Sequence, residues 1–285
     1  MYIAARIIPS RFFQFNNGCL KISNHYKVMK FIIFWYIHKK CNQQCWYCYE
    51  QGNEIKEVVP SRFHIDRIIK LFSSLPNFTL SLLGGEISIY SELEYLVQQV
   101  SKLQNVDEIQ ITTNGTNIHH NILDIDKVRI NLSLHLDYFN RFDLLKYDNV
   151  HPTLIYDACS PEYADEVLEF HKMPVKLVRR NHNVFNYTEH ELETYYNLLK
   201  KYGLEDRKDR YIPHKVAKCN KGYQLRFDYD GKIYHTDYKC LLERGVNIYI
   251  NPQDFVYKKE EFICTQELCY GFNNCCRNIP KVEYL

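Results

Sequence analysis

The chain has 285 residues, 46% of them apolar and 25% charged, so it can bury a core without disulfide bonds and is not broadly disordered. Its 36 lysines and arginines nearly balance 34 aspartates and glutamates, and the formal charge of +2 argues against a large nucleic-acid interface. No apolar run reaches the about 18 residues of a membrane span, and Arg6 and Pro9 interrupt the apolar N-terminus too early for a signal peptide. We therefore expect a cytoplasmic protein without membrane contact.

Short apolar, β-branched runs alternate with amphipathic stretches through residues 30–205, after an N-terminal extension of residues 1–29. The runs predict six strands, at Phe31–Ile37, Phe78–Leu83, Glu108–Thr113, Val128–Leu134, Val150–Tyr156 and Val175–Val178. The amphipathic stretches predict helices at Arg62–Leu71, Ser91–Leu103 (with Ser91 and Glu94 as a capping box), Pro161–His171 and Thr188–Tyr202. Repeated strand-then-helix units indicate a parallel α/β sheet with right-handed crossovers, and six strands favour a partial (β/α)6 TIM-type barrel.

Polar, glycine-rich or cysteine-rich sequence follows each of the first four predicted strands. These segments are residues 38–49, the Gly84–Glu86 turn, the Asn114–Thr116 turn and His135. In parallel α/β folds the carboxyl ends of the strands meet at one edge, where the reactive groups gather. The sequence therefore predicts one functional site that several loops build together.

Eleven cysteines in a chain expected to stay reduced indicate metal binding or chemistry rather than disulfides. Cys41, Cys45 and Cys48 form a tight group, whereas Cys19 and Cys159 are isolated and read as small buried side chains. Closely spaced thiolates favour zinc or an iron–sulfur cluster. A zinc site needs a fourth ligand, for which His38 is the nearest candidate, whereas three thiolates on a 4Fe–4S cluster leave one iron open.

The segment CNQQCWYCY at residues 41–49 resembles the cluster-binding loop of the radical S-adenosylmethionine (SAM) superfamily. LLGGE at 82–86, TTNGT at 112–116 and NLSLHLD at 131–137 resemble further motifs of that superfamily, in the same order. The resemblance implies a 4Fe–4S cluster on Cys41, Cys45 and Cys48, with SAM on the fourth iron. It also implies reductive cleavage of SAM to a 5′-deoxyadenosyl radical that abstracts hydrogen from an unactivated carbon, with a reductant such as flavodoxin or ferredoxin.

The same resemblance implies a set of SAM contacts. Gly84 and Gly85 would let the backbone approach SAM, and Glu86 would accept a hydrogen bond from its amino group. The remaining candidates are Tyr47 for the adenine, Thr113 and Asn114 on the third strand element, and Ser133 and His135 for the ribose or carboxylate. Structural alternatives remain open: a plain turn at Gly84–Gly85, a tight turn at Asn114–Gly115, and a core histidine at position 135.

Residues 206–285 read as a second, small Cys-rich α+β domain that follows a charged linker. A β-hairpin is predicted around Asp230–Gly231, flanked and followed by Cys219, Cys240, Cys264, Cys269, Cys275 and Cys276. This pattern resembles the SPASM or twitch extensions that hold auxiliary 4Fe–4S clusters, although Thr236 stands where a cysteine is expected. We expect one auxiliary 4Fe–4S cluster, on Cys219, Cys240 and two of the later four, with a structural zinc knuckle as the alternative.

The SPASM/twitch resemblance favours an oxidoreductase that modifies a peptide or protein by oxidation, crosslinking or epimerisation. The alternative is a radical dehydrogenase or related enzyme acting on a small metabolite or nucleotide. A non-catalytic zinc protein is a remote third hypothesis, because it would not need the glycine, asparagine and histidine motifs at successive strand ends.

Overall fold

The computed structural model of the chain describes residues 12–16, 19–23, 31–45, 47–48, 57–135, 138, 141–156, 161–171, 173–177, 188–204, 216–219, 224–234, 242–257, 262–263 and 283–284. Its strands are β1 (Phe12–Asn16), β2 (Cys19–Ser23), β3 (Phe31–Tyr36), β4 (Phe78–Leu83), β5 (Val106–Thr113), β6 (Val128–His135), β7 (Val150–Tyr156), β8 (Val175–Leu177), β9 (Val216–Cys219), β10 (Gln224–Phe227), β11 (Lys232–Tyr234), β12 (Leu242–Asn247), β13 (Phe262–Ile263) and β14 (Glu283–Tyr284). The helices are α1 (Arg62–Ser73), α2 (Leu93–Ser101), α3 (His120–Leu123), α4 (Pro161–Phe170) and α5 (Glu189–Tyr202).

Within the described residues, nine strands form one sheet in the order β12-β11-β10-β3-β4-β5-β6-β7-β8. Strands β3 to β8 are parallel neighbours in chain order, which confirms the predicted parallel α/β sheet. All six strands predicted for residues 30–205 are present, and β6 extends to include His135. The order of the strands and their direction agree with an open, partial barrel.

The two faces of this sheet differ in chemistry because side chains alternate along each strand. The pairing register aligns Ile33 with Leu80, and Leu80 with Ile109, and all three are fully buried. This apolar face packs against the helices. On the opposite face β4, β5 and β6 carry polar residues, for example Ser81, Gln110 and Ser133. The sheet therefore presents a polar inner face beside the edge where the predicted motifs gather.

The helices depart from the prediction at three places. The predicted helix from Ser91 begins only at Leu93, and the Ser91–Glu94 capping box does not form. Leu93 N–H donates to Tyr90 O, so a tight turn occupies the residues before the helix. The connection from β5 to β6 has only the short α3, and the one from β6 to β7 has a 3₁₀ helix at Phe142–Lys146. Among the described residues, no helix combines the length and apolarity needed to cross a lipid bilayer.

The predicted hairpin around Asp230–Gly231 is present as β10 and β11, but it continues the main sheet. β10 pairs in parallel with β3, on the side opposite β4. Phe227 of β10 contacts Trp35 of β3 edge-on at 6.5 Å and stacks on Phe72 of α1 at 6.0 Å between ring centroids. Residues 224–234, expected in a second domain, therefore share the hydrophobic core of the first.

The remaining strands form two small sheets. β1 and β2 pair antiparallel, and β13-β9-β14 form a three-stranded sheet within the described residues. Of the six C-terminal cysteines, Cys219 ends β9, and Cys240, Cys264, Cys269, Cys275 and Cys276 lie outside the described residues. The boundary between the two domains, at residues 205 and 206, stays a prediction.

Candidate functional site

The three clustered cysteines follow β3 on a single loop. Cys48 N–H donates to Cys45 O at 2.9 Å, which turns the chain, and Gln43 N–H donates to the Cys41 sulfur at 3.4 Å. Cys41 is exposed, Cys45 is buried and Cys48 is half-buried. Burial raises the pKa of the Cys41 and Cys45 thiols, and the neighbouring cysteines raise them further. The three thiols are thus close enough for the ionisation of one to influence the next.

The described residues supply three clustered thiols, a donor type that zinc sites and iron–sulfur clusters share. Zinc needs four ligands that converge on one point. Among the described residues, no group of three or more histidines, cysteines or acidic residues is arranged to hold a single metal ion. A 4Fe–4S cluster binds each thiolate through a different iron, and three thiolates leave its fourth iron open to another ligand. The three thiols of this loop match that number of protein ligands.

The glycines of the Gly84–Glu86 turn lie against the backbone that leads into Cys41. Gly85 N–H donates to His38 O at 2.7 Å, and Glu86 N–H donates to Lys40 O at 2.9 Å. A β-carbon on Gly85 would lie 2.3 Å from Lys39 O, and one on Gly84 would lie 2.5 Å from His38 O. Both distances are well below a normal van der Waals contact, so the adjacent backbone of residues 38 and 39 requires glycine at both positions. The two glycines thus allow a close approach to the backbone before the cysteine loop, and the predicted approach to SAM stays a prediction.

The Glu86 carboxylate is buried and bonded to protein donors. Its Oε1 accepts from Ser88 N–H at 2.9 Å and from the Thr113 hydroxyl, and its Oε2 accepts from Asn114 N–H at 2.6 Å. Glu86, Thr113 and Asn114 are all at most 5% exposed. Three predicted SAM contacts are thus brought together, and they bond one another. Whether they also contact SAM stays a prediction.

The next predicted pair, Tyr47 and His135, closes over Cys45. The Tyr47 ring stacks on the His135 ring at 5.9 Å between centroids, and its hydroxyl lies 2.7 Å from His135 Nδ1. His135 Nδ1 lies 4.0 Å from the Cys45 sulfur. Burial lowers the pKa of His135 to about 4, so its imidazole is neutral at pH 7. Ser133 lies two residues earlier on the same face of β6, which agrees with the polar inner face described above.

His38, considered above as a zinc ligand, lies inside the protein. His38 is only 3% exposed, and neither nitrogen of its ring has a hydrogen-bond partner among the described residues. Its ring centroid is 6.0 Å from that of Tyr90. Burial lowers the pKa of His38, which keeps it neutral. The described residues give no support to a zinc site that His38 closes.

Sequence reasoning missed two groups at this edge. Asn42, next to Cys41, accepts a hydrogen bond from Asn114 Nδ2 at 3.0 Å. On β10, the Arg226 guanidinium lies 3.7 Å from the Tyr36 ring centroid and pairs with buried Asp228 at 3.1 Å. The alternation of polar and apolar residues at 224–228 was a usable signal, because it places residues 224, 226 and 228 on one face. No pattern in the sequence indicates the Asn114–Asn42 bond.

The C-terminal cysteines can be followed only in part. Cys219 pairs across β9 and β13 with Phe262, which precedes Cys264 by two residues in the sequence. The backbone register thus brings the first predicted auxiliary ligand to the strand that leads into the later cysteines.

Comparisons with known proteins agree with this geometry. Residues 35–212 match the sequence profile of the radical SAM superfamily. The chain is 27% identical over 122 residues to a GTP 3′,8-cyclase of Aquifex aeolicus, covering 40% of this chain and 37% of that protein. It is 30% identical over 106 residues to molybdenum cofactor biosynthesis protein 1 of Dictyostelium discoideum, covering 36% of this chain and 17% of that one. The matches thus span little more than a third of the first relative's length and about a sixth of the second's.

Solved structures share the fold at low identity. The structure of anSMEcpe with bound AdoMet (SAM) has a TM-score of 0.54 at 15% identity, covering 87% of this chain and 89% of that one. Streptococcus suis SuiB bound to the precursor peptide SuiA also has a TM-score of 0.54 at 15% identity, covering 78% and 63%. The superfamily match covers well over half of the chain and includes the cysteine loop, the Gly84–Glu86 turn and the strands beside them. The chain therefore belongs to the radical SAM superfamily.

Proposed function

We propose that this radical SAM enzyme holds its 4Fe–4S cluster on Cys41, Cys45 and Cys48 and acts on a small metabolite or nucleotide. The observation that carries the proposal is the cysteine loop itself, held against the Gly84–Glu86 turn by two backbone hydrogen bonds at the carboxyl edge of a parallel sheet. When bound, the cluster and SAM supply hydrogen-abstraction chemistry at an unactivated carbon.

The residues of the chain supply binding, orientation and exclusion of water. The three thiols hold the cluster, and the stacked Tyr47 and His135 rings cover Cys45 on one side. Neutral His135 bonds the Tyr47 hydroxyl through Nδ1 and adds no charge to the site beside SAM or substrate. The polar inner face beyond it, which includes Gln110 and Ser133, provides hydrogen-bonding groups for a substrate.

The choice of substrate class rests on the relatives. The sequence analysis favoured a peptide or protein, but the curated relatives are named GTP 3′,8-cyclases, which favours the small-molecule alternative. The peptide-bound structural neighbour shares the fold at 15% identity and gives weaker support to a peptide substrate. We therefore place a small, polar substrate on the inner face, with hydrogen abstraction from one of its carbons.

An auxiliary 4Fe–4S cluster on Cys219, Cys240 and two of Cys264, Cys269, Cys275 and Cys276 is a further part of the proposal. It is supported by the pairing of Cys219 with Phe262 across β9 and β13. A flavodoxin or ferredoxin as reductant belongs to the proposal, because the cluster has to receive an electron before SAM is cleaved. A cytoplasmic location is proposed with it.

The decisive experiment is anaerobic reconstitution with iron and sulfide, followed by iron counting and mass spectrometry for 5′-deoxyadenosine under dithionite. We expect the wild type to cleave SAM, Cys45→Ala to lose cleavage, and the matched control Cys19→Ala to keep it. Cys269→Ala should keep uncoupled SAM cleavage and lose product formation. GTP and other nucleotides should raise 5′-deoxyadenosine formation more than a panel of peptides does.

Three outcomes would contradict this assignment. Zinc rather than iron at the cysteine loop would exclude the cluster, and a reduced, iron-loaded protein that never consumes SAM would exclude the reaction. Stimulation by peptides alone would return the substrate to the peptide class.

A further inference from the structure

We propose that Glu86 is a positioning residue that holds the backbone on both sides of Cys41. It contacts Lys40, before the cysteine, directly, and it reaches Asn42, after the cysteine, through Asn114. The inference rests on the proposed function, because it gives Glu86 its purpose in holding a cluster ligand. It differs from the role that the superfamily resemblance implies, in which the Glu86 carboxylate accepts a hydrogen bond from the SAM amino group.

Glu86 reaches the near side of Cys41 through its backbone. Its N–H donates to Lys40 O at 2.9 Å, directly before the cysteine, and the preceding Gly85 N–H donates to His38 O at 2.7 Å. This part of the contact needs no particular side chain at position 86.

The far side of Cys41 is reached through the carboxylate. Glu86 Oε2 accepts from Asn114 N–H at 2.6 Å, which places the Asn114 side chain over the loop. Asn114 Oδ1 accepts from Thr116 N–H at 3.0 Å, so its Nδ2 is directed to Asn42 Oδ1 at 3.0 Å. Asn42 directly follows Cys41. Residues 40 and 42 are thus both tied, through Glu86, to the ends of β4 and β5.

The carboxylate is suited to this position because it is acceptor-only. It receives three protein donors, from Ser88, Thr113 and Asn114, at a residue only 2% exposed. Hydrogen bonds to a buried charged acceptor are stronger than neutral ones. Glutamine has the same shape but carries an NH₂ group in place of one oxygen. In either orientation that NH₂ faces a backbone N–H, of Ser88 or of Asn114, so one bond is lost.

The inference predicts that loosening this contact exposes the buried Cys45 on the same loop. In the apo protein, we would measure the alkylation rate of buried Cys45 with iodoacetamide relative to that of free glutathione in the same solution, because the variants act on the backbone around Cys41 itself. Glu86→Gln should raise that ratio at least about tenfold, the factor expected from losing one hydrogen bond to a charged acceptor. Asn42→Ala removes a hydrogen bond between two neutral amides and should raise the ratio about fivefold. The double variant should exceed the stronger single variant by less than twofold, because both act on one chain of contacts.

Asn105→Ala is the matched control. Asn105 Nδ2 donates to Phe72 O and Leu75 O, both at 2.8 Å, at the opposite edge of the sheet. Its loss should lower the melting temperature comparably and leave the Cys45 ratio within twofold of wild type. After reconstitution, iron loss to a chelator should be faster in Glu86→Gln and Asn42→Ala than in Asn105→Ala.

Two results would overturn the inference. One is a Glu86→Gln protein whose SAM affinity falls while Cys45 alkylation and iron retention match the wild type, which would assign Glu86 to SAM alone. The other is an Asn105→Ala protein that raises the Cys45 ratio as much as Glu86→Gln does, which would make the effect one of global stability. The alkylation readout needs no metal, so a wild type that never binds iron would refute the proposed function separately.

Discussion

Gly85→Ala is a direct test of how closely the Gly84–Glu86 turn holds the cysteine loop. A β-carbon at this position would lie 2.3 Å from Lys39 O and 2.4 Å from Lys40 O. Both obstacles are backbone atoms, so no side-chain rotation relieves them. Among the described residues, the glycines with positive φ are Gly115, Gly203, Gly231 and Gly245, so the cost at Gly85 comes from the clash and not from backbone strain.

The size of the effect follows from the separation that must open. The Gly84–Glu86 turn and the backbone of residues 39–40 have to move apart by about 1 Å to restore an ordinary contact. Overpacking of that kind costs about 1–3 kcal/mol of folding stability. The same movement stretches the bonds from Gly85 N–H to His38 O and from Glu86 N–H to Lys40 O, each worth about 1 kcal/mol. We expect a loss of about 3 kcal/mol, which lowers the melting temperature by roughly 6–12 °C.

The assay compares Gly85→Ala with Gly203→Ala. Gly203 ends α5 at φ +64° and has nothing within 4 Å of an added β-carbon, so alanine there costs only the left-handed conformation, about 1 kcal/mol. Both variants should melt earlier, but only Gly85→Ala should raise Cys45 alkylation and speed iron loss. A Gly85→Ala protein that melts within about 1 °C of wild type and retains iron equally would refute the reasoning.

Three further variants test other parts of the structure. Because burial lowers the pKa of His38, the folded state keeps it neutral while the unfolded state binds a proton below about pH 6.5, so stability falls as the pH falls from 7 to 5. His38→Leu in the apo protein should remove part of this loss, at most about 1.4 kcal/mol per pH unit, as measured by urea denaturation. An equal slope of unfolding free energy against pH in both proteins would contradict this. Arg226→Met should destabilise the protein by about 3–5 kcal/mol, because it removes the guanidinium that pairs with the buried Asp228 carboxylate. Adding Asp228→Leu should recover most of this loss, and no recovery would show that the pair is not the cause. Thr188→Ala should lower the free energy of unfolding by about 1 kcal/mol, because it removes the hydroxyl that accepts a hydrogen bond from Glu191 N–H at the start of α5. The iron content should not change, and an unchanged melting temperature would show that this cap does not contribute to stability.

The strands of the main sheet were predictable because their residue types and their burial agree. Apolar runs such as Phe31–Ile37 and Phe78–Leu83 fill both the strand and the core, so local preference and packing lead to the same element. Ser91 shows where this fails. Serine and a glutamate three residues later resemble a helix start, but the Leu93–Tyr90 turn uses the backbone there instead, and the helix begins two residues on.

The addition of β10 to the main sheet could not be predicted, because the partner of a strand is a long-range property. The sequence at 224–234 specifies a hairpin through its turn residues, and a hairpin can stand alone or join a sheet. What decides between the two is the fit of Phe227 against Trp35 and Phe72, contacts with residues more than 150 positions away. The alternation along β10 does predict that Arg226 shares a face with Asp228, and the structure confirms this.

At the site, sequence motifs identified the residues but not which of them contact each other. The superfamily resemblance implies SAM contacts at Gly84–Glu86, Thr113 and Asn114, with plain turns as the alternative, because a motif does not indicate which protein groups lie beside it. The structure shows that Glu86 and Asn114 first bond one another and the loop around Cys41. Glycine at 84 and 85 is required by the protein itself, because a β-carbon there would press on the backbone of residues 38–40. Substitutions in these motifs should therefore weaken cluster retention before they weaken SAM binding, which distinguishes holding the loop from contacting the cofactor.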